Sequence, residues 1–159
     1  PETWLMPEVL VANLPYNVSV PILMHLLELL PGLRSGLVMV QAEVGNRIAA
    51  PPGSKEYGSP SAKAAWYGNW HIASTVSRRI FWPVPGVDSN LVAFTRAEER
   101  LGTEPERVAT FELVNAAFAG RRKMLRQSLQ GVLGIDPTLR AEQLNIEQFL
   151  AIARSLIAE

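Results

Sequence analysis

Two short, unbroken apolar runs, Val9-Leu10-Val11-Ala12 and Gly36-Leu37-Val38-Met39-Val40-Gln41, constrain the fold most strongly. Runs apolar at every position are the pattern of parallel strands covered on both faces. Between them Ser19 is the expected N-cap, Pro21 sits in a first turn where its missing N–H costs nothing, and Pro31-Gly32 ends the helix. Residues 20–30 are apolar nearly all round, with only His25 and Glu28 sharing a polar edge, so this helix is expected to pack against more than a sheet. Strand, helix, strand implies an α/β unit with a right-handed crossover.

Downstream, a second helix is expected from Ala42 towards Ala50, stopped by Pro51-Pro52-Gly53-Ser54. The loop running on through Ser59 is long enough to be functional. Residues 61–70 read as a third helix, with Trp66, Tyr67 and Trp70 packing it onto the sheet. Residues 71–77 form a strand candidate and Leu91-Val92-Ala93-Phe94 a clearer one, while Pro83 and Pro85 exclude a central strand between them. Composition turns charged and helical across Gly102 to Pro105, which divides the chain into an α/β domain over 1–102 and a small helical domain over 103–159. Phe111, Val114, Phe118, Leu125 and Leu129 share one face of a helix over 106–130, but a continuous helix would put Arg121 and Arg122 on that apolar face. A break at Gly120 resolves the conflict and presents Arg121, Arg122, Lys123 and Arg126 at the start of the next helix. The last helix follows Asn145, with Gln148 completing a capping box, and is expected to bury Phe149, Leu150, Ala153 and Leu156.

Composition removes several classes of function. With no cysteine there are no disulfides, thiolate metal sites or cysteine nucleophiles, and His25 and His71 leave little for a histidine-based metal centre, so no metal is expected. No apolar stretch reaches the roughly 18 residues of a membrane span, and the N-terminus lacks the signal-peptide pattern; a soluble cytoplasmic protein without a membrane partner is the expectation. Lys plus Arg equals Asp plus Glu at 15 each, so any contact with a polyanion must come from local clusters.

The most informative residues are Asn13-Leu14-Pro15-Tyr16, directly after an apolar strand, because ligands in open α/β sheets bind beyond the carboxyl ends of the strands. The residue types suit an adenine amine. That nitrogen is a poor nucleophile with two N–H donors; the Asn13 side-chain oxygen and the Leu14 carbonyl can accept both and aim its lone pair at a methyl-sulfonium. Pro15 stiffens the loop and Tyr16 offers a flat face for an unstacked base. Extracting a base costs a few kcal/mol and stacking returns about 1–3 kcal/mol per base, so a second ring is needed; Phe81 is the candidate. Taken alone, the tetrapeptide reads equally as a turn closing a strand, Phe81 as a core aromatic, and the Arg121 to Arg126 cluster as a solvated helix face. Glu43 is explained by its place at a helix start, and the histidines carry no assignment.

Five segments in order carry a resemblance. Asn13-Leu14-Pro15-Tyr16-Asn17-Val18-Ser19, Gln41-Ala42-Glu43-Val44 leading to Arg47-Ile48, Pro52-Gly53-Ser54-Lys55 with Tyr57-Gly58, Phe81 through Ser89, and Phe118 through Leu129 with Arg140-Ala141-Glu142-Gln143-Leu144 closely resemble the small-subunit ribosomal RNA dimethyladenosine transferases. The resemblance implies the second half of a Rossmann-like class I methyltransferase sheet followed by a small all-α domain. It implies dimethylation of two adjacent adenines in 16S RNA on the immature small ribosomal subunit, with S-adenosyl-L-methionine as cofactor. By the same resemblance Asn13 touches cofactor and amine, Tyr16 and Phe81 flank the base, and Arg121, Arg122, Lys123 and Arg126 meet RNA phosphates.

Some positions depart from the family. Gly86 stands where lysine is common, Pro60 interrupts an Arg-Leu-Ser, and Gly45-Asn46 replaces a more helical Ala-Glu pair. These bear on the RNA contacts of those loops and leave the chemistry intact. Family members also carry, upstream, a strand and a glycine-rich turn that cradles the cofactor; here only residues 1–12 precede Asn13, the chain opens on Pro1, and no G-x-G follows a strand. A fragment inactive by itself is therefore expected, with an uncovered sheet edge at Val9 to Ala12 prone to self-association. Two further functions were weighed: a macrolide-resistance methyltransferase acting on large-subunit RNA, and a non-catalytic RNA-binding or ribosome-assembly module.

Overall fold

In the computed structural model of the chain, which describes residues 6–119, 136 and 138–158, four strands form one sheet. They are β1 (Val9–Asn13), β2 (Ser35–Gln41), β3 (Gly68–Val76) and β4 (Ser89–Arg96), in the order β1-β2-β4-β3. β1 and β2 are parallel, with Asn13 opposite Met39, as two strands joined by helix α1 (Ser19–Leu29) must be. β4 pairs antiparallel with both β2 and β3, so it alone runs against the other three. Helix α2 (Ala42–Ile48) follows β2 without a break. The described residues divide into two compact units, one of Pro1–Ala49 with Tyr67–Glu98, the other of Ala50–Trp66 with Glu99–Glu159.

In the first unit the buried apolar side chains are Leu23 and Leu27 of α1, Leu33, Val38 and Val40 of β2, Ile48 of α2, and Val92 and Phe94 of β4. Each stabilises by about 1.5–3 kcal/mol relative to exposure. Trp70 faces Phe94 as a cross-strand pair, ring centroids 4.5 Å apart. That placement corrects the expected third helix, which ends at Tyr67 and leaves Trp70 on β3. The strand starts early because a Cβ at position 68 would collide with the Thr95 carbonyl oxygen; only glycine lets the two backbones approach so closely. β1 departs from expectation too. Its residues alternate in exposure, and Val9 (61% exposed) and Val11 (76%) project from the sheet's edge, so β1 is not covered on both faces. Ser19 is not the N-cap either: Val18 takes that position without a side-chain bond, and Ser19 is buried in the first turn. Asn17, at φ 69°, turns the chain through the left-handed region that Asn tolerates, and the helix begins at Ser19, one residue earlier than a Ser19 cap would give.

The second unit holds α3 (Ser59–Tyr67) up to Trp66, α4 (Glu104–Phe118) and α5 (Ile146–Ile157). Residues 50–66 belong here for a visible reason. Gly53 N–H donates to the Glu142 carbonyl at 2.6 Å, the Tyr57 hydroxyl donates to the Leu144 carbonyl at 2.6 Å, and the Tyr57 ring meets Phe118 edge-on at 5.9 Å. Burial, with Glu147 nearby, pushes the Tyr57 hydroxyl up to about 12. Phe111 meets Trp66, Phe118 meets Phe149, and Val114 is fully buried, which is the expected face of α4. Thr103 and Glu106 cap α4 reciprocally, and Asn145 and Gln148 cap α5 as the sequence predicts. Phe149, Leu150 and Ala153 are buried; Leu156, near the end of α5, is 46% exposed. The expected break at Gly120, Leu125, Leu129 and the basic cluster lie outside the described residues.

Arg96 closes the first unit's helix. Its guanidinium donates to the carbonyls of Leu27 (2.7 Å), Leu30 and Leu33 (both 2.9 Å), satisfying the C-terminal end of α1 and the turn after it. Replacing Arg96 by alanine is expected to cost roughly 1–3 kcal/mol. A lowered urea midpoint with an unchanged slope, followed by circular dichroism, would show it; an unchanged midpoint would remove Arg96 from this role.

Candidate active site

The topology carries several loops to one end of the sheet. Asn13 lies opposite Met39 near the end of β2, Gln41 lies opposite Ser89 at the start of the reversed β4, and Ser89 lies opposite Val76 at the end of β3. The loop after β1 (Leu14–Val18) and the loop joining β3 to β4 (Ser77–Asp88) therefore share the carboxyl end of the parallel strands, and with them Asn13-Leu14-Pro15-Tyr16 and Phe81.

The first loop is anchored at both ends. Leu14 is buried, and its N–H donates to the Met39 carbonyl at 3.1 Å, extending the parallel ladder one residue beyond β1. Asn13 and Pro15 remain exposed. Tyr16 keeps 37% of its surface in solvent while its hydroxyl hydrogen-bonds the buried Ser89 hydroxyl at 3.2 Å. The ring is thus held by its hydroxyl while part of its surface remains in solvent.

The second loop is closed on itself. Ser77 caps a single tight turn over Arg78–Ile80, and Phe81, half-buried, donates its N–H to the Arg78 carbonyl at 3.2 Å. Arg78 donates to one oxygen of Asp88 through both its backbone N–H (2.9 Å) and its Nε (3.1 Å), and through Nη1 to the Gly86 carbonyl at 2.7 Å. Those bonds from Arg78, the backbone one foremost, hold the Asp88 carboxyl below the usual carboxylate range. The Asp88 carbonyl accepts from Ala42 N–H at 2.9 Å, tying the loop to α2. Next to it the buried Asn90 amide donates to the Ala42 carbonyl (3.0 Å) and to Asn46 Oδ1 (3.1 Å). A Cβ at Gly45 would lie 2.9 Å from the Asn90 Cβ. The Gly45-Asn46 departure is therefore matched to Asn90: the glycine makes room and the asparagine accepts.

Of the expected site residues, Asn13, Leu14, Pro15, Tyr16 and Phe81 are brought to one end of the sheet, while Arg121, Arg122, Lys123 and Arg126 lie outside the described residues. Inspection of the sequence passed over Arg78, Ser89 and Asn90. The available signal was the polar Asp88-Ser89-Asn90 opening an apolar strand, since buried polar groups must find partners. Among the described residues no group of His, Cys, Asp or Glu is placed to hold a metal ion, and no helix is long and apolar enough to cross a membrane.

A sheet in which the last strand in sequence is reversed between two parallel neighbours, with loops gathered at the carboxyl end, has the Rossmann-like class I fold. The model of the family described as ribosomal RNA adenine dimethylase matches residues 7–157, and the chain belongs to that family. It is 59% identical over 160 residues to the ribosomal RNA small subunit methyltransferase A of Leifsonia xyli, covering 92% of this chain and 57% of that protein. The protein of the same name from Streptomyces coelicolor is 48% identical, with 92% of this chain and 56% of that one covered. The chain spans about half the length of these curated relatives. In fold it is similar to a dimethyladenosine transferase from Plasmodium falciparum (TM-score 0.78, 19% identity, 98% of this chain and 70% of that one). It is also similar in fold to the 23S rRNA methyltransferase ErmE (TM-score 0.63, 21% identity, 94% and 65%).

Because the Asp88 carboxyl is depressed in the folded chain, its contribution to loop closure is complete above the ordinary carboxylate value, about 4, and is lost as pH falls through its lower folded value. The Asp88 carboxyl carbon followed by NMR is expected to titrate below that ordinary value, and Arg78→Ala, which removes the Nε bond and the charge but keeps the backbone N–H, should raise it part of the way back. Titration at the ordinary value in the unsubstituted chain would dismiss the clamp.

Proposed function

We propose that this chain carries the base pocket and one contact to the methyl donor of an enzyme that dimethylates adjacent adenines of small-subunit ribosomal RNA during subunit assembly in the cytoplasm. The observation that supports it most is the meeting of Asn13-Leu14-Pro15-Tyr16 with the Phe81 loop at one sheet end, through the Tyr16 to Ser89 hydrogen bond. In this role Tyr16 and Phe81 stack on the extracted adenine from its two faces, which offsets the cost of unstacking it. Asn13 Oδ1 and the Leu14 carbonyl would accept the two amine hydrogens and turn the nitrogen lone pair out of conjugation, so that an N–C bond could form at the expense of the donor's S–CH3 bond, with one amine proton released to water. S-adenosyl-L-methionine supplies the electrophilic methyl group. The exposed carboxamide of Asn13, at the carboxyl end of a parallel strand, suits the edge of such a cofactor site.

Arg121, Arg122, Lys123 and Arg126 are assigned to RNA phosphates, because guanidinium forks bind phosphate bidentately. The division at residue 102 into a methyltransferase half and a helical RNA-binding domain belongs to the same proposal. The decisive comparison is transfer of labelled methyl to immature small subunits by this chain and by one extended upstream by about one hundred residues to a complete domain. Transfer is expected only from the extended chain, and Asn13→Ala in it should lower turnover by about a hundredfold or more with RNA binding kept. Turnover that survives Asn13→Ala would dispose of the mechanism; activity in neither chain would favour a non-catalytic RNA-binding module.

Self-association of the 159-residue chain is the remaining part of the proposal, supported by the exposed Val9 and Val11 on the edge strand. Sedimentation velocity should show a mass that rises with concentration and falls back with Val11→Lys. A strict monomer at the highest concentration reached would contradict it.

A further inference from the structure

The loop that presents Phe81 also presents a large apolar surface outward. Trp82 is 94% exposed, and Ile80 and Val84 beside it are exposed as well. An indole left almost wholly in water contributes nothing to the core, whereas its neighbour Phe81 is half-buried. The surface is held in place: Arg78 braces the loop through Asp88 and the Gly86 carbonyl. It is also locally cationic. Residues 77–87 contain Arg78 and Arg79 and no acidic residue, and the acid that follows, Asp88, is occupied by Arg78. An exposed ring, an exposed Arg79 guanidinium and a preset backbone form the combination by which proteins hold unpaired bases.

We infer that Trp82, with Arg79, forms a second stacking platform that holds the unpaired nucleotide next to the target adenine, so that the loop grips two successive bases, one on Phe81 and one on Trp82. The inference rests on the adenine-pocket function proposed above. Its occupant is single-stranded RNA and not a protein, because the surface continues the base pocket by one residue of chain and its only charges are positive. A protein surface of the usual kind would need a broader apolar core than three side chains. By this placement Trp82 is a positioning residue: it fixes the neighbour so that the target base can leave the stack, and it touches none of the reacting atoms.

The test uses the 159-residue chain and short single-stranded RNAs containing two adjacent adenines, in which either neighbour of the target is intact or abasic. The unsubstituted chain should bind the intact RNA about tenfold more tightly than the RNA abasic at the adjoining position. Trp82→Ala should lose that tenfold and no longer distinguish the two RNAs, while Trp82→Phe retains most of it. The dependence of binding on salt should be the same in all three, since stacking releases no counterions, and the melting temperature should not move for so exposed a position. If the chain binds RNA and Trp82→Ala binds it equally well, the platform is refuted and the adenine pocket stands. If no RNA binds at all, both fall. If Trp82→Ala instead abolishes self-association with RNA binding unchanged, the surface is an interface between copies and the inference is wrong.

Discussion

Everything at the candidate site depends on the reversal of β4. A parallel pair such as β1 and β2 delivers only one kind of loop to its carboxyl end, the kind that leaves a strand. Because β4 runs antiparallel between β2 and β3, its first residues lie where β2 and β3 finish, and the loop from β3 must return to that same end. Phe81 is thereby placed on the side of Tyr16 although 65 residues separate them in sequence, as their numbers show. A sheet with β4 parallel would have needed a crossover connection and would have sent the Ser77 to Asp88 loop elsewhere.

Polar bonds, and not apolar packing, then fix the detail. Ser89 and Asn90 are buried at the head of β4, where each would be costly without a partner. Ser89 spends its hydroxyl on Tyr16 and Asn90 its amide on α2, so the start of one strand orients both the motif loop and the helix after β2. Arg78 and Arg96 act alike on a larger scale. Each guanidinium gathers several acceptors around one planar group, the first closing a loop and the second a helix end. Such many-armed donors stabilise segments that bury too little apolar surface to hold themselves.

Patterns that depend on near neighbours were legible in the sequence, and those that depend on distant ones were not. The strand-helix-strand unit, the stop at Pro31-Gly32 and the Asn145 to Gln148 capping box are local, and they form where expected. The Asn13 to Tyr16 loop and the Phe81 segment were legible as motifs, but no local rule says that a reversed strand brings them to one end. Cap propensity points to Ser19, but the left-handed turn at Asn17 leaves Val18 in the cap position. The early start of β3 follows from a backbone approach at Gly68 that only the Thr95 partner reveals. Residues 50–66 group with the helices because Tyr57 and Gly53 bond to carbonyls nearly ninety positions later, which no local pattern announces.

The neutral overall charge looks at first like an obstacle to an RNA partner, since 15 cationic residues are matched by 15 anionic ones. The distribution removes the obstacle. Exposed acids are paired with arginines along helices, as Glu43 with Arg47 and Glu104 with Arg107, where they cancel locally and project little field. Of the two loops at the candidate site, Leu14–Val18 carries no charge, and Ser77–Asp88 has two arginines against one acid. At about 0.1 M salt the interactions of exposed charges are largely screened beyond about 10 Å, so pairs of this kind act only at short range. Under the proposed function, selection would then rest on contact, through stacking on an unpaired base and bidentate bonds to phosphate, and not on long-range attraction.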